Sequence, residues 1–183
     1  MQFDLPAETS LTPLLEQFGH VPLPPYITQS QALPEQYQTV YAHQPGSAAA
    51  PTAGLHFTPE LLERLEARGI ERAFVTLHIG VGTFRPVEVE DVTTHKMHQE
   101  WVEVPAATVA KIRETKARGG RVIAVGTTVV RSLEGAAAAQ ESEQVEEIPQ
   151  SAICNLQSAI PLAPFCGKTD LFIYPGYQWR VVE

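Results

Sequence analysis

Between Gln99 and Ala139 the chain reads strand, helix, strand, helix, and that order restricts the fold more than any other feature. Gln99 to Val104 has strand character, and a helix is expected over 105–118. Arg121 to Gly126 is a short run of the buried type that leads directly into Thr127, Thr128 and a helix through Ala139. Strands joined by a helix pair in parallel, so the leading expectation is an α/β domain with a mostly parallel sheet. Upstream, Ala73, Val75, Leu77 and Ile79 alternate with Phe74, Thr76 and His78, which predicts a further strand. Gly80-Val-Gly82 then leads into Thr83 to Val89. Thr169 to Tyr174 resumes as a strand, and Gln178 to Val182 reads as one more with an exposed edge.

The best-marked helix begins at Thr58, an N-cap, followed by Pro59 at the first helical position and a stripe of Leu61, Leu62 and Leu65, with Gly69 as terminator. A shorter helix is expected within 33–42. Val21-Pro-Leu-Pro-Pro25 must be extended and predicts a connector between two structural units. Residues 140–168 carry no steady period and read as a mobile insertion. At 183 residues, 44% hydrophobic and 19% charged, the composition is globular, and no apolar run is long enough to span a bilayer. A cytoplasmic setting is expected. Thirteen Lys and Arg against 21 Asp and Glu give a net charge of -8, which opposes a chain built mainly to coat nucleic acid. Cys154 and Cys166 form neither a disulfide framework nor a zinc-type pair.

The chemistry-bearing residues concentrate at a few places. His95-Lys-Met-His98-Gln-Glu100 sets two of six imidazoles three apart with a carboxylate beside them. Such a cluster can supply a base, an acid or metal ligands, and it equally fits hydrogen-bonded surface histidines. No zinc signature is matched, and no metal is expected. His78 stands at the end of a predicted strand before Gly80 and Gly82, where open α/β sheets place a ligand crevice, and His56 lies in the loop after Pro51-Thr-Ala-Gly54. Thr127 and Thr128 join strand to helix and can hold a ligand or simply cap the helix. Lys111, Arg113, Lys116, Arg118 and Arg121 offer either a local RNA-backbone contact or a solvated helix face. Tyr174, Tyr177 and Trp179 offer a stacking surface or an aromatic turn.

The wording of these stretches is more specific than their residue types. Gly19-His-Val-Pro-Leu-Pro-Pro-Tyr-Ile27, Tyr37-Gln-Thr-Val-Tyr41, Ala50-Pro-Thr-Ala-Gly-Leu-His-Phe57 and Thr76-Leu-His-Ile-Gly-Val-Gly-Thr-Phe84 come first. His95-Lys-Met-His-Gln-Glu100, Val125-Gly-Thr-Thr-Val-Val-Arg-Ser-Leu-Glu134 and Phe172-Ile-Tyr-Pro-Gly176 follow in order. Together they make the chain resemble the S-adenosylmethionine:tRNA ribosyltransferase-isomerase family of queuosine biosynthesis. The resemblance implies a three-layer sandwich-like α/β domain over 27–183, with residues 1–26 the remnant of a β-barrel domain and its connector. Family members extend further at both ends, so a partial chain is expected.

The implied reaction moves and isomerises the ribosyl group of S-adenosylmethionine onto 7-aminomethyl-7-deazaguanine at the tRNA wobble position. Epoxyqueuosine forms, and adenine and methionine leave. Carried onto this sequence, the resemblance implies His98 or His95 as base, with His78 and His56 as acid or positioning groups. Gly80, Gly82, Thr127, Thr128 and Arg131 are expected to line the cosubstrate pocket, Arg131 meeting the methionine carboxylate. A monomer is expected, with tRNA as partner and no membrane. The competing expectations are a fragment that binds tRNA or a partner without turnover and, more remotely, a methyltransferase, whose glycine-rich loop is absent.

Overall fold

The computed structural model describes residues 10–20, 23–24, 26–84, 87–147 and 160–182. In chain order it holds α1 (Leu11–Phe18), 3-10 turns at Pro34–Tyr37 and Thr52–His56, α2 (Pro59–Glu66), β1 (Thr76–His78), and 3-10 turns at Val81–Phe84 and Val92–Thr94. Then follow β2 (Glu100–Val104), α3 (Ala106–Ala117), α4 (Thr127–Glu147) and β3 (Phe165–Thr169).

The elements with local signals form where those signals stand. Thr58 Oγ1 accepts the Leu61 N–H at 3.2 Å, Pro59 opens α2, and Gly69 ends it at φ 74°. Only glycine adopts that left-handed turn cheaply. Pro105 precedes α3, which sends Val109 and Ile112 into the core. Along β2, Glu100, Val102 and Val104 are buried while Trp101 and Glu103 are half-exposed, the two-residue period of a strand with one covered face.

The covering element is α4. Its Leu133, Ala136 and Ala137 join Leu77, Val102 and Val104 in one cluster with Leu162 and Val181. Gly135 explains how closely the helix approaches the sheet. A Cβ at that position would overlap the Thr169 side chain, reaching 3.0 Å from Thr169 Cβ. A residue that weakens a helix interior by about 1 kcal/mol thus permits the tight α4–β3 contact.

The sheet is the main correction to the parallel expectation. Its order is β1-β2-β3, and both pairs are antiparallel: Leu77 faces Val102, and Val102 faces Gly167. Residues 121–126 join no ladder, so the strand-helix-strand unit on which parallel pairing rested does not form among the described residues. Between β1 and β2 the described chain has only short 3-10 turns, not the helical crossover that parallel neighbours require. The last strand is Phe165–Thr169 and not Thr169–Tyr174, and the helix expected within 33–42 is a single 3-10 turn.

Residues 140–147, read as part of an insertion, continue α4, while 148–159, with Cys154, lie outside the described residues. Val21, Pro22 and Pro25 of the connector also lie outside them. Where a barrel remnant was expected, the described residues contain α1 and no strand. Among the described residues no helix is long and apolar enough to cross a membrane.

Gln178 to Val182 forms no strand edge. A fully buried carboxylate on α4 holds this segment instead: Glu134 Oε1 accepts the N–H groups of Val181 and Val182 at 2.9 Å each. Its Oε2 accepts the Arg180 N–H at 3.0 Å and the Tyr177 hydroxyl at 3.1 Å. Four donors replace the water that a buried carboxylate gives up.

Candidate active site

The structure brings together one compact polar group at the start of β2. Glu100 lies on the strand face that α4 covers, its side chain 4% exposed. Burial of a charge demands a partner, and Arg131 on the first turns of α4 supplies it. The Arg131 Nη1 donates to Glu100 Oε2 at 2.5 Å. Nη2 donates to the His98 carbonyl at 2.7 Å, and Nε to the Leu171 carbonyl at 3.1 Å. One guanidinium therefore ties the strand entrance to the segment after β3. Burial pulls the Arg131 guanidinium below its ordinary value, opposed by the nearby Glu100 and Asp170 carboxylates.

His98 completes the group. Its Nε2 lies 2.9 Å from Glu100 Oε1, and its Nδ1 has no hydrogen-bond partner among the described residues. Gly82 backs the imidazole, because a Cβ there would sit 3.0 Å from His98 Cγ. His95 takes no part in the hydrogen bonds of this group, and its ring lies 5.0 Å from that of Phe172. Phe172 follows Leu171, whose carbonyl Arg131 holds, so the residue that His95 packs against adjoins the Arg131 anchor.

The remaining expected residues are placed elsewhere. His78 pairs across the ladder with Trp101, the rings 4.9 Å apart. Directly opposed residues share a face, so His78 stands on the side of the sheet away from Glu100. Its Nδ1 is buried without a partner beneath Gly46, where a Cβ would approach to 2.7 Å. His56 is exposed at the end of a 3-10 turn whose Ala53 side chain would lie 3.3 Å from a Cβ placed on Gly126, the residue before α4. Thr127 is exposed and Thr128 half-buried at that helix start, and Gly80 has open space beside it. No hydrogen bond joins any two of His56, His78, His95 and His98 among the described residues.

The basic run on α3 is largely committed within the chain. Lys111 donates to the Arg72 carbonyl at 3.0 Å, Arg113 to that of Leu162 at 2.8 Å, and Arg118 to Glu71 at 2.7 Å. The aromatic turn is half-packed: Tyr177 and Trp179 meet edge to face at 5.3 Å, and Arg180 covers Tyr177. Burial, reinforced by Glu134, pushes the Tyr177 hydroxyl up to about 12. No cluster of three or more His, Cys, Asp or Glu side chains among the described residues is placed to hold a metal ion.

Reading by residue type flagged Glu100 only as a neighbour of the histidines and passed over Glu134 except as a motif letter. Its place two residues after His98, at the start of the predicted strand, was the available signal for the first. Nothing local signalled the second, whose partners lie 43 to 48 residues away.

Comparison with known proteins extends these observations. A family model described as queuosine biosynthesis protein matches residues 1–183. The S-adenosylmethionine:tRNA ribosyltransferase-isomerase of Trichormus variabilis is 65% identical over all of this chain and 40% of its own length. Those of Nostoc sp. and Acaryochloris marina are 66% and 59% identical, with 41% and 44% of their lengths covered. The chain thus spans well under half the length of the curated relatives it matches. A crystal structure of S-adenosylmethionine tRNA ribosyltransferase from Thermotoga maritima is 37% identical, with a TM-score of 0.44 over 72% of this chain and 33% of that one.

Proposed function

The chain belongs to the queuosine biosynthesis protein family, and we propose that it carries part of a S-adenosylmethionine:tRNA ribosyltransferase-isomerase. In that reading the ribosyl group of S-adenosylmethionine passes to 7-aminomethyl-7-deazaguanine at the tRNA wobble position and isomerises, with loss of adenine and methionine. The observation that carries it is the His98, Glu100 and Arg131 group, which couples an imidazole to a buried, charge-paired carboxylate.

The chemistry suits such a group. A sulfonium acidifies the hydrogens on the adjacent ribose C5′, so the first requirement is a base that works near neutral pH. His98 supplies it, or His95, whose ring packs against Phe172. His78 and His56 serve as acid or positioning groups approaching from other sides of the chain. Gly80 offers unobstructed backbone to the cosubstrate, Gly82 the backbone behind the His98 ring, and Thr127 and Thr128 their hydroxyls. Arg131 has most of its N–H groups committed, leaving little of the fork for a methionine carboxylate. The three-layer architecture, the preceding barrel and the division into residues 1–26 and 27–183 are part of the same proposal, as are a monomeric state and a cytoplasmic setting.

The alternative is a chain that binds tRNA or a partner without turnover. One assay separates the two. Adenine release from S-adenosylmethionine is measured with tRNA bearing 7-aminomethyl-7-deazaguanine and with tRNA lacking it. Release only with the modified tRNA is the expected result. Folded protein that binds the tRNA yet releases no adenine establishes the alternative.

A further inference from the structure

We propose that Glu100 is a positioning residue that holds His98 in its Nε2–H tautomer, making Nδ1 the atom that accepts the substrate proton. The inference rests on His98 as the base but assigns the atom and the group that selects it. Glu100 is charge-paired with Arg131, so it only accepts hydrogen bonds, and the 2.9 Å contact requires the hydrogen to sit on His98 Nε2. A neutral imidazole carries one hydrogen, which leaves the lone pair on Nδ1. That nitrogen is the one without a partner among the described residues.

Three further features keep the ring in register. Arg131 fixes both the carboxylate and the backbone that carries the imidazole, through the His98 carbonyl at 2.7 Å. Gly82 backs the ring closely, so that a Cβ there, 3.0 Å from His98 Cγ, would press on the imidazole. The Glu100 side chain is 4% exposed, so water does not compete for its oxygens. In the resulting step the C5′–H bond breaks, the proton passes to Nδ1, and the electron pair stays on the carbon beside the sulfonium. The imidazolium then formed keeps its Nε2–H on Glu100, which stabilises the new charge.

Substituting Glu100→Gln gives an opposite outcome for a physical reason. Arg131 has only donors, so the carbonyl of the substituted amide turns toward Nη1, and its N–H₂ then faces His98 Nε2. The imidazole must accept there, and its hydrogen moves to Nδ1, the reacting atom.

The test is ¹⁵N NMR of histidine-labelled chain, which distinguishes the two tautomers directly, alongside adenine release with the modified tRNA. The expected result is Nε2–H for His98 in the wild type and Nδ1–H in E100Q. Adenine release in E100Q should fall about 10² to 10⁴-fold in kcat, with KM for S-adenosylmethionine little changed. Wild-type His98 found as Nδ1–H overturns the proposal, and that spectrum needs no variant to fold. E100Q with an inverted tautomer and unaltered kcat overturns it too. If the wild-type chain releases no adenine, the base role fails for this chain, while the tautomer still decides whether Glu100 positions His98.

Discussion

Glu134→Gln tests whether one carboxylate on α4 holds the C-terminal segment in place. The wild-type carboxylate accepts four hydrogen bonds, three of them from backbone N–H groups of Arg180, Val181 and Val182. A glutamine keeps one acceptor oxygen and turns an amide donor toward the other pair. Two bonds to a charged acceptor are lost, at about 1.5–3 kcal/mol each, or roughly 3–6 kcal/mol together. Against that stand the other attachments of the segment. Burial of Val181, 1% exposed, contributes about 1.5–3 kcal/mol. The Arg180–Glu141 pair adds about 0–1 kcal/mol, being partly exposed. The loss of roughly 3–6 kcal/mol is comparable with or larger than the roughly 1.5–4 kcal/mol of these attachments, so the segment should detach before the core unfolds. Hydrogen exchange should show fast exchange at Val181 and Val182 in E134Q while Val102 and Leu133 stay protected. Trp179 fluorescence should report the same local event, ahead of the main denaturant transition. Protection at Val181 and Val182 as strong in E134Q as in the wild type would refute the reasoning, as would loss of protection throughout the chain at once.

Three more substitutions probe the packing and charge arguments. Gly135→Ala gains helix propensity of about 1 kcal/mol but drives a methyl into Thr169; overpacking of about 1–3 kcal/mol should win and lower Tm. Arg131→Met strands Glu100 as a buried unpaired charge, costing about 3–5 kcal/mol in urea unfolding, and adding Glu100→Gln should recover part of that loss. Tyr177→Phe tests pH dependence. The folded hydroxyl is raised from 10.0 to about 12, so below pH 10 its contribution is complete, and between those values the unfolded state ionises first. Wild-type stability should fall over that alkaline window relative to Tyr177→Phe, and parallel curves for the two proteins would contradict the assignment.

What was legible in the residues follows from the range of the forces involved. The starts of α2, β2 and α3 were visible because caps and alternation act within a few residues, as at Thr58 and along Glu100 to Val104. Sheet direction was not, because it depends on which segments pair. Arg121 to Gly126 has strand composition yet makes no ladder, and Phe165-Cys-Gly-Lys-Thr169 looks unlike a strand yet pairs along its length with β2. Gly167 in that strand lies against the Phe165 ring, where a Cβ would come within 3.0 Å. Close packing against that ring accounts for a glycine inside the strand.

The site divides along the same line. Histidine density pointed to His95 and His98, and Glu100 was visible only as the carboxylate beside them. The charge that makes Glu100 usable comes from Arg131, 31 residues away on another element. A guanidinium assigned from its motif to a substrate carboxylate is, in the folded chain, already satisfied by a carboxylate of its own and by backbone carbonyls. The two readings differ in what removal of Arg131 does to the protein without substrate. A ligand clamp leaves stability nearly untouched, whereas an internal counter-ion to a buried carboxylate is costly to lose. Unfolding of Arg131→Met with no ligand present therefore discriminates between them before any enzymatic assay.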